Sequence, residues 1–185
     1  MGRYVFRTMP SDRYTARALS TYLLTQLKHQ KAVVFYNSNS VYSQSLKNEF
    51  KDALFYLGGG QVVQEFDLSR PDFKARESVE KAIKKGAEAL VLLPSNEVSD
   101  RALQVVQINR KRLKLIAGDG FYTPKTLDIG GEEAVGMVLA VPGSLIGEQG
   151  EKFRTAAFQL WGEMASETDK NDAQLLATSN HMGVN

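Results

Sequence analysis

The chain has 185 residues, 43% of them hydrophobic and 24% charged, enough for one compact domain with its own core. A formal net charge of +2, with basic residues scattered along the sequence, gives no case for nucleic acid or an anionic membrane as partner. The absence of cysteine excludes disulfides, thiolate zinc sites and cysteine nucleophiles.

The first residues, MGRYVFRTMPSD, lack the long apolar core of a secretory signal. No apolar run approaches the roughly 18 residues that a membrane-crossing helix needs. The chain reads either as a cytoplasmic protein or as a piece of a longer precursor. Short strands are predicted at Tyr4–Thr8, Ala32–Asn37, Gln61–Phe66, Ala89–Pro94, Leu113–Gly118 and Gly136–Val141. Of these, VVFY, ALVLL and MVLAV are apolar on both faces, as central strands of a covered parallel sheet must be. Helical stripes lie between them. Ala16, Leu19, Tyr22, Leu23 and Leu27 form one, and Leu46, Phe50, Ala53, Leu54 and Leu57 another.

Gly58-Gly59-Gly60 should end the second helix. Ser69-Arg70-Pro71-Asp72 reads as a capping box that opens the third, and Lys84-Lys85-Gly86 as its end. A fourth helix is expected from about Glu97 to Arg112. Alternating strand and helix at this spacing implies right-handed βαβ units. The fold class is therefore a three-layer α/β/α sandwich: a doubly wound, mostly parallel, Rossmann-like sheet of five to six strands. One lobe is expected over 1–142. Gly143–Gly150 should be a loop, Glu151–Glu163 a helix, and 164–185 a polar, loosely ordered tail.

Ligands of open α/β sheets bind beyond the carboxyl ends of the strands. Three such ends carry polar or aromatic residues: Asn37-Ser38-Asn39-Ser40-Val41-Tyr42, Pro94-Ser95-Asn96-Glu97 and Gly118-Asp119-Gly120-Phe121-Tyr122. The candidate ligand-binding residues are Asn37, Ser38, Tyr42, Ser95, Asn96, Asp119 and Tyr122. Amides and hydroxyls can hold a carboxylate, Asp119 an ammonium group, and the tyrosines an aliphatic portion, which together describes a zwitterion site. The competing reading is local. Ser38 to Ser40 can cap the second helix, Ser95 and Asn96 the fourth, and Gly-Asp-Gly is an ordinary turn.

Catalytic constellations fail. The glycine clusters have the wrong placement for a dinucleotide fingerprint, and no phosphate loop is present. The two histidines, His29 and His181, sit in a helix-end turn and in the tail. Neither a metal nor another cofactor is expected, and the chain does not read as an enzyme.

The order of motifs carries a resemblance. Phe6-Arg7-Thr8-Met9-Pro10-Ser11-Asp12 is followed by Val33–Asn37, Tyr42–Leu46, Phe50 and Gly58-Gly59. Asp72-Phe73, Gly86–Val91, Ile116–Gly120 and Glu133–Met137 complete the series. Over roughly residues 3–142 the chain resembles the type I periplasmic-binding-protein fold. Specifically, it resembles the branched-chain amino-acid-binding group of ABC transporter substrate-binding proteins, a module also similar to receptor ligand-binding regions. The resemblance implies the second of two lobes, with a missing first lobe as partner and an ABC permease or a receptor output domain beyond it. It implies extracytoplasmic location, an amino acid or similar small polar ligand, and no nucleic acid. Tyr42 matches the family's aromatic after the first strand of this lobe, and Asp119 its acidic position for the ligand amino group, one methylene shorter than the glutamate of the closest binders. Pro94–Glu97 matches a further ligand-facing loop with different residues, and Trp161-Gly162 the return toward the first lobe. The exposed wall is also a candidate for self-association of the isolated lobe. Two alternatives stay open: a sensory module in a signalling receptor, and a small Rossmann-like enzyme for nucleotides or sugar phosphates.

Overall fold

The computed structural model describes residues 11–141 and 148–161. Tyr4–Thr8 and the tail 164–185 lie outside them, as does most of the loop after Val141. The strands are β1 (Lys31–Tyr36), β2 (Gln61–Asp67), β3 (Ala89–Leu93), β4 (Lys114–Gly118) and β5 (Val138–Ala140). The helices are α1 (Asp12–Thr21), α2 (Val41–Leu57), α3 (Ala75–Lys84), α4 (Ser99–Asn109), α5 (Pro124–Ala134) and α6 (Glu148–Trp161). All pairings are parallel, in the order β2-β1-β3-β4-β5.

Strand parity assigns the two cores. Val33, Phe35, Leu90, Leu92, Leu115 and Ala117 point into one, closed by residues of α3, α4 and α5. Ala32, Val34, Ala89, Val91, Leu93 and Ile116 point into the other, closed by α1 and α2. All five residues of β3 are buried, which explains why ALVLL shows no polar alternation. On α2, Ser43, Leu46, Phe50 and Leu54 recur at helical spacing and face the sheet.

Helix boundaries follow local chemistry. Gly58 ends α2 with φ 69°, and Gly86 follows α3 with φ 71°, both in the left-handed region. The capping box at Ser69–Asp72 does not form: α3 begins at Ala75, and its N-cap Lys74 makes no side-chain cap. Ser69 is committed elsewhere, its N–H and hydroxyl both donating to Asp67 at 2.9 and 2.6 Å. Pro71, moreover, pushes Arg70 away from helical backbone. The fourth helix is also shorter than expected. A 3₁₀ turn at Asn96–Val98 precedes α4, and Arg110 and Lys111, with φ 48° and 58°, stop it after Asn109. The N-cap of α4 is Val98, so neither Ser95 nor Asn96 caps it. α6 begins at Glu148, inside the predicted loop. α5 was not expected, and it contains Gly130-Gly131, with the backbone kinked at Gly131 (φ 50°). The element survives because Thr123 caps it, accepting from the Thr126 N–H, with Pro124 in the first turn.

Candidate functional site

In the 2-1-3-4-5 order the chain leaves β1 toward one side of the sheet and β3 toward the other, opening a crevice between their carboxyl ends. α2 follows β1 on one face, and α4 follows β3 on the opposite face. Asn37 and Ser95 stand at this switch point. The Asn37 side-chain amide donates to the Ser95 hydroxyl at 2.6 Å, and its carbonyl oxygen accepts from the Asn39 N–H at 2.8 Å. Asn37 is buried, so this closed set of bonds removes the cost of an unpaired amide.

Ser43 locks the crevice from below. Its hydroxyl accepts the Asn37 N–H at 2.7 Å and donates to the Leu93 carbonyl. One buried hydroxyl thus ties the first turn of α2 to the ends of both β1 and β3. Ser40 caps the same helix, accepting from the Ser43 N–H at 3.3 Å, and Gln44 donates to the Ser38 carbonyl. The local reading is therefore right for Ser40.

Toward β4, the Tyr42 hydroxyl donates to Asp119 Oδ1 and accepts the Gly120 N–H at 3.3 Å. Burial, then the neighbouring carboxylate, hold the phenol far above its ordinary value. The glycines beside Asp119 allow this approach. A Cβ at Gly118 would lie 2.8 Å from Leu46 Cδ2, and one at Gly120 only 2.7 Å from the Pro94 carbonyl oxygen. The 3₁₀ turn Asp119–Phe121 buries Phe121 in the core, and the Tyr122 N–H donates to the Asp119 carbonyl at 2.8 Å.

Toward β2, Ser38 donates through its N–H (3.1 Å) and hydroxyl (2.6 Å) to Asp67, which also receives Ser69. Burial alone would raise the Asp67 pKa, but these four bonds outweigh it and lower the value. Ser38 is therefore occupied in bracing the rim. Asn96 is exposed, on the turn before α4, and Ser95 also binds the Glu97 carboxylate, lowering its pKa.

The structure thus brings Asn37 to Ser95 and Tyr42 to Asp119 along one carboxyl edge, with Ser38 on Asp67 beside them. Asn96 and Tyr122 belong to the same edge, Tyr122 through its N–H on the Asp119 carbonyl. Sequence reasoning missed Ser43 and Asp67. Ser43 falls in the apolar stripe of α2, where a small residue reads as packing. Asp67 is the last residue of β2, and Asp-x-Ser is a recognisable side-chain turn, of which only Ser69 was considered, as a helix start.

A doubly wound lobe with a preorganised polar rim at its switch point has the architecture of a ligand-binding lobe. The chain belongs to the periplasmic binding protein family, whose sequence profile matches residues 1–178. Solved structures agree on the fold. A putative branched-chain amino acid ABC transporter protein from Rhodospirillum rubrum matches with TM-score 0.69 at 20% identity, over 85% of this chain and 45% of that one. A leucine binding protein from Thermotoga maritima matches with TM-score 0.66 at 24% identity, over 86% and 46%. An ABC transporter substrate-binding protein from Desulfitobacterium hafniense, in complex with Leu, matches with TM-score 0.63 at 22% identity, over 86% and 45%. The chain therefore spans a little under half the length of the structures it matches, which fits a single lobe. No curated protein matches it.

Proposed function

We propose that this lobe forms one wall of a solute-binding cleft for an amino acid or a similar small polar molecule, in an extracytoplasmic protein that serves ABC-type uptake. The observation that carries this reading is the Tyr42–Asp119 pair beside the Asn37–Ser95 pair at one switch point. The rim offers hydrogen-bonding groups held in place by their own network. The Tyr42 hydroxyl fixes Asp119 through Oδ1, and the carboxylate so oriented accepts a ligand ammonium by charge-assisted bonds. The ring of Tyr42 covers an aliphatic portion, while Ser95, held in place by the buried Asn37 amide, and Asn96 face the polar end. Ser38 and Asp67 set the height of the rim. The family holds its ligands and does not transform them, so no catalytic step is assigned.

A wall desolvates only part of its guest, so the second lobe supplies the rest of the cleft by closing over it. Titration of the 185-residue chain with leucine, valine and other amino acids, followed by NMR, tests the reading. Expected is affinity on the order of millimolar, with shifts confined to the ends of β1, β3 and β4, and loss of binding in Asp119→Ala. Sub-micromolar affinity would contradict the one-wall reading. Unchanged binding by Asp119→Ala would remove the ammonium role.

A further inference from the structure

At the opposite edge of the sheet the fold gathers charge that the sequence scatters. The turns entering β1, β3 and β4 lie side by side there. Glu88 and Lys31 share a backbone bond of 2.8 Å, and the Lys114 N–H reaches the Glu88 carbonyl at 3.3 Å. Adjacent strands are about 4.8 Å apart, so three neighbouring turns form a strip about 10 Å across. On it stand Lys28, Lys31, Lys84, Lys85, Arg110 and Lys111, all exposed and none in an ion pair among the described residues. Arg112 and Lys114 flank them, the first paired with Glu80 and the second bound to the Gly136 carbonyl. The neighbouring acids are few and partly engaged: Glu88 accepts the N–H groups of Gln30 and Lys31, while Glu132 and Glu133 lie at the end of α5. The expectation of dispersed basic residues therefore fails in three dimensions.

A second observation sets this edge apart. Lys28, Arg110 and Lys111 are the non-glycine residues with positive φ among those described, at 55°, 48° and 58°. Glycine or asparagine holds such backbone with less strain, yet each position carries a cation, and each cation faces this edge.

We propose that this amino-terminal edge is a docking face for an anionic phospholipid bilayer. The chemistry selects that partner. The cations are mostly lysines, compact charges on flexible stems that suit a diffuse, fluid array of headgroups. A specific protein partner is usually met by aromatic or aliphatic anchors at the centre of a patch, whereas the exposed apolar side chains of this edge, Phe55, Tyr56 and Val135, stand at the turns to either side of the strip, before β2 and β5. Single-stranded nucleic acid calls for aromatic platforms set among the cations; the exposed Phe55 and Tyr56, at the end of α2, lie outside the three turns that carry them. Docked by this edge, the lobe keeps its polar rim directed away from the bilayer, so lipid and solute bind without competing.

Sedimentation of the full chain with phosphatidylcholine vesicles, with and without phosphatidylglycerol, at low and high salt, tests this. Binding is expected only with phosphatidylglycerol and should fall with salt. The variant Lys28→Gly/Arg110→Gly/Lys111→Gly removes three charges and relieves left-handed strain, so it keeps its thermal stability. Its partitioning should drop at least about ten-fold, since one cation near an anionic surface is worth roughly five-fold. Lys84→Glu/Lys85→Glu on an exposed helix end should drop it as well. Equal binding to neutral vesicles, undiminished binding by both variants, or tighter retention of a DNA oligonucleotide than of the vesicles would overturn the proposal. Solute binding at the rim is read separately, so failure here leaves the reading of the rim untouched, and the reverse.

Discussion

Tyr42 joins helix, strand end and carboxylate through one hydroxyl, which makes it the residue whose removal is most informative. Tyr42→Phe keeps the ring against the core and deletes the bond to Asp119. Hydrogen bonds to charged groups contribute about 1.5–3 kcal/mol, and the partial exposure of this pair places the expected loss near the lower end. The pH dependence has a definite sign. The folded phenol titrates above its ordinary value of 10.0, so the protonated tyrosine stabilises the fold fully below pH 10.0, and that stability drains as pH rises toward the folded value. Urea unfolding should therefore show the gap between the native protein and Tyr42→Phe narrowing above pH 10.0. A constant gap would mean that the hydroxyl is not held against the carboxylate in solution.

The elements show what local chemistry could reveal and what it could not. Burial on both faces was legible in VVFY and ALVLL, which form β1 and β3, but MVLAV forms the half-buried edge strand β5; the glycines after α2 and α3 mark turns that need left-handed backbone. The strand ends carrying Asn37, Tyr42, Ser95 and Asp119 were legible for the same reason, since topology alone sends them to one edge. The start of α3 and the existence of α5 were not. Ser69 was claimed by Asp67, two residues before it at the end of β2, and the cap at Thr123 outweighed two glycines. The cationic strip was invisible because its residues are separated by whole helices in sequence and adjacent only across the sheet. α2 offers an element-scale test. Ser40→Ala removes the cap of the helix that carries both Ser43 and Tyr42, and N-cap losses cost about 1 kcal/mol. Thermal unfolding should report that loss, and NMR should show the Asp119–Tyr122 turn shifting although it is remote in sequence. Shifts confined to Asn37–Gln44 would show that the cap does not govern the rim.

At the scale of the whole molecule, the sheet is one wall shared by two cores, and β3 is its central plank. Leu90 and Leu92 serve the α3–α4–α5 side, and Ala89, Val91 and Leu93 the α1–α2 side, all on a strand flanked by β1 and β4. The edge strands differ: β2 is half-buried from Val62 to Asp67, and β5 has three half-buried residues paired only with β4. Native-state hydrogen exchange should therefore be slowest in β3, somewhat faster in β1 and β4, and fastest in β5, a short edge strand whose residues are half-buried. Leu92→Ala distinguishes one cooperative unit from two. The change opens a cavity on the α3–α4 side only, with a cost of roughly 2–5 kcal/mol. If the sheet couples the layers, exchange that requires global opening accelerates equally in α2 and α4, because loss of β3 from one core removes it from the other. If α2 keeps its native exchange rates while α4 accelerates, the two faces unfold separately, and a rim whose residues come from both faces would then lack a rigid base.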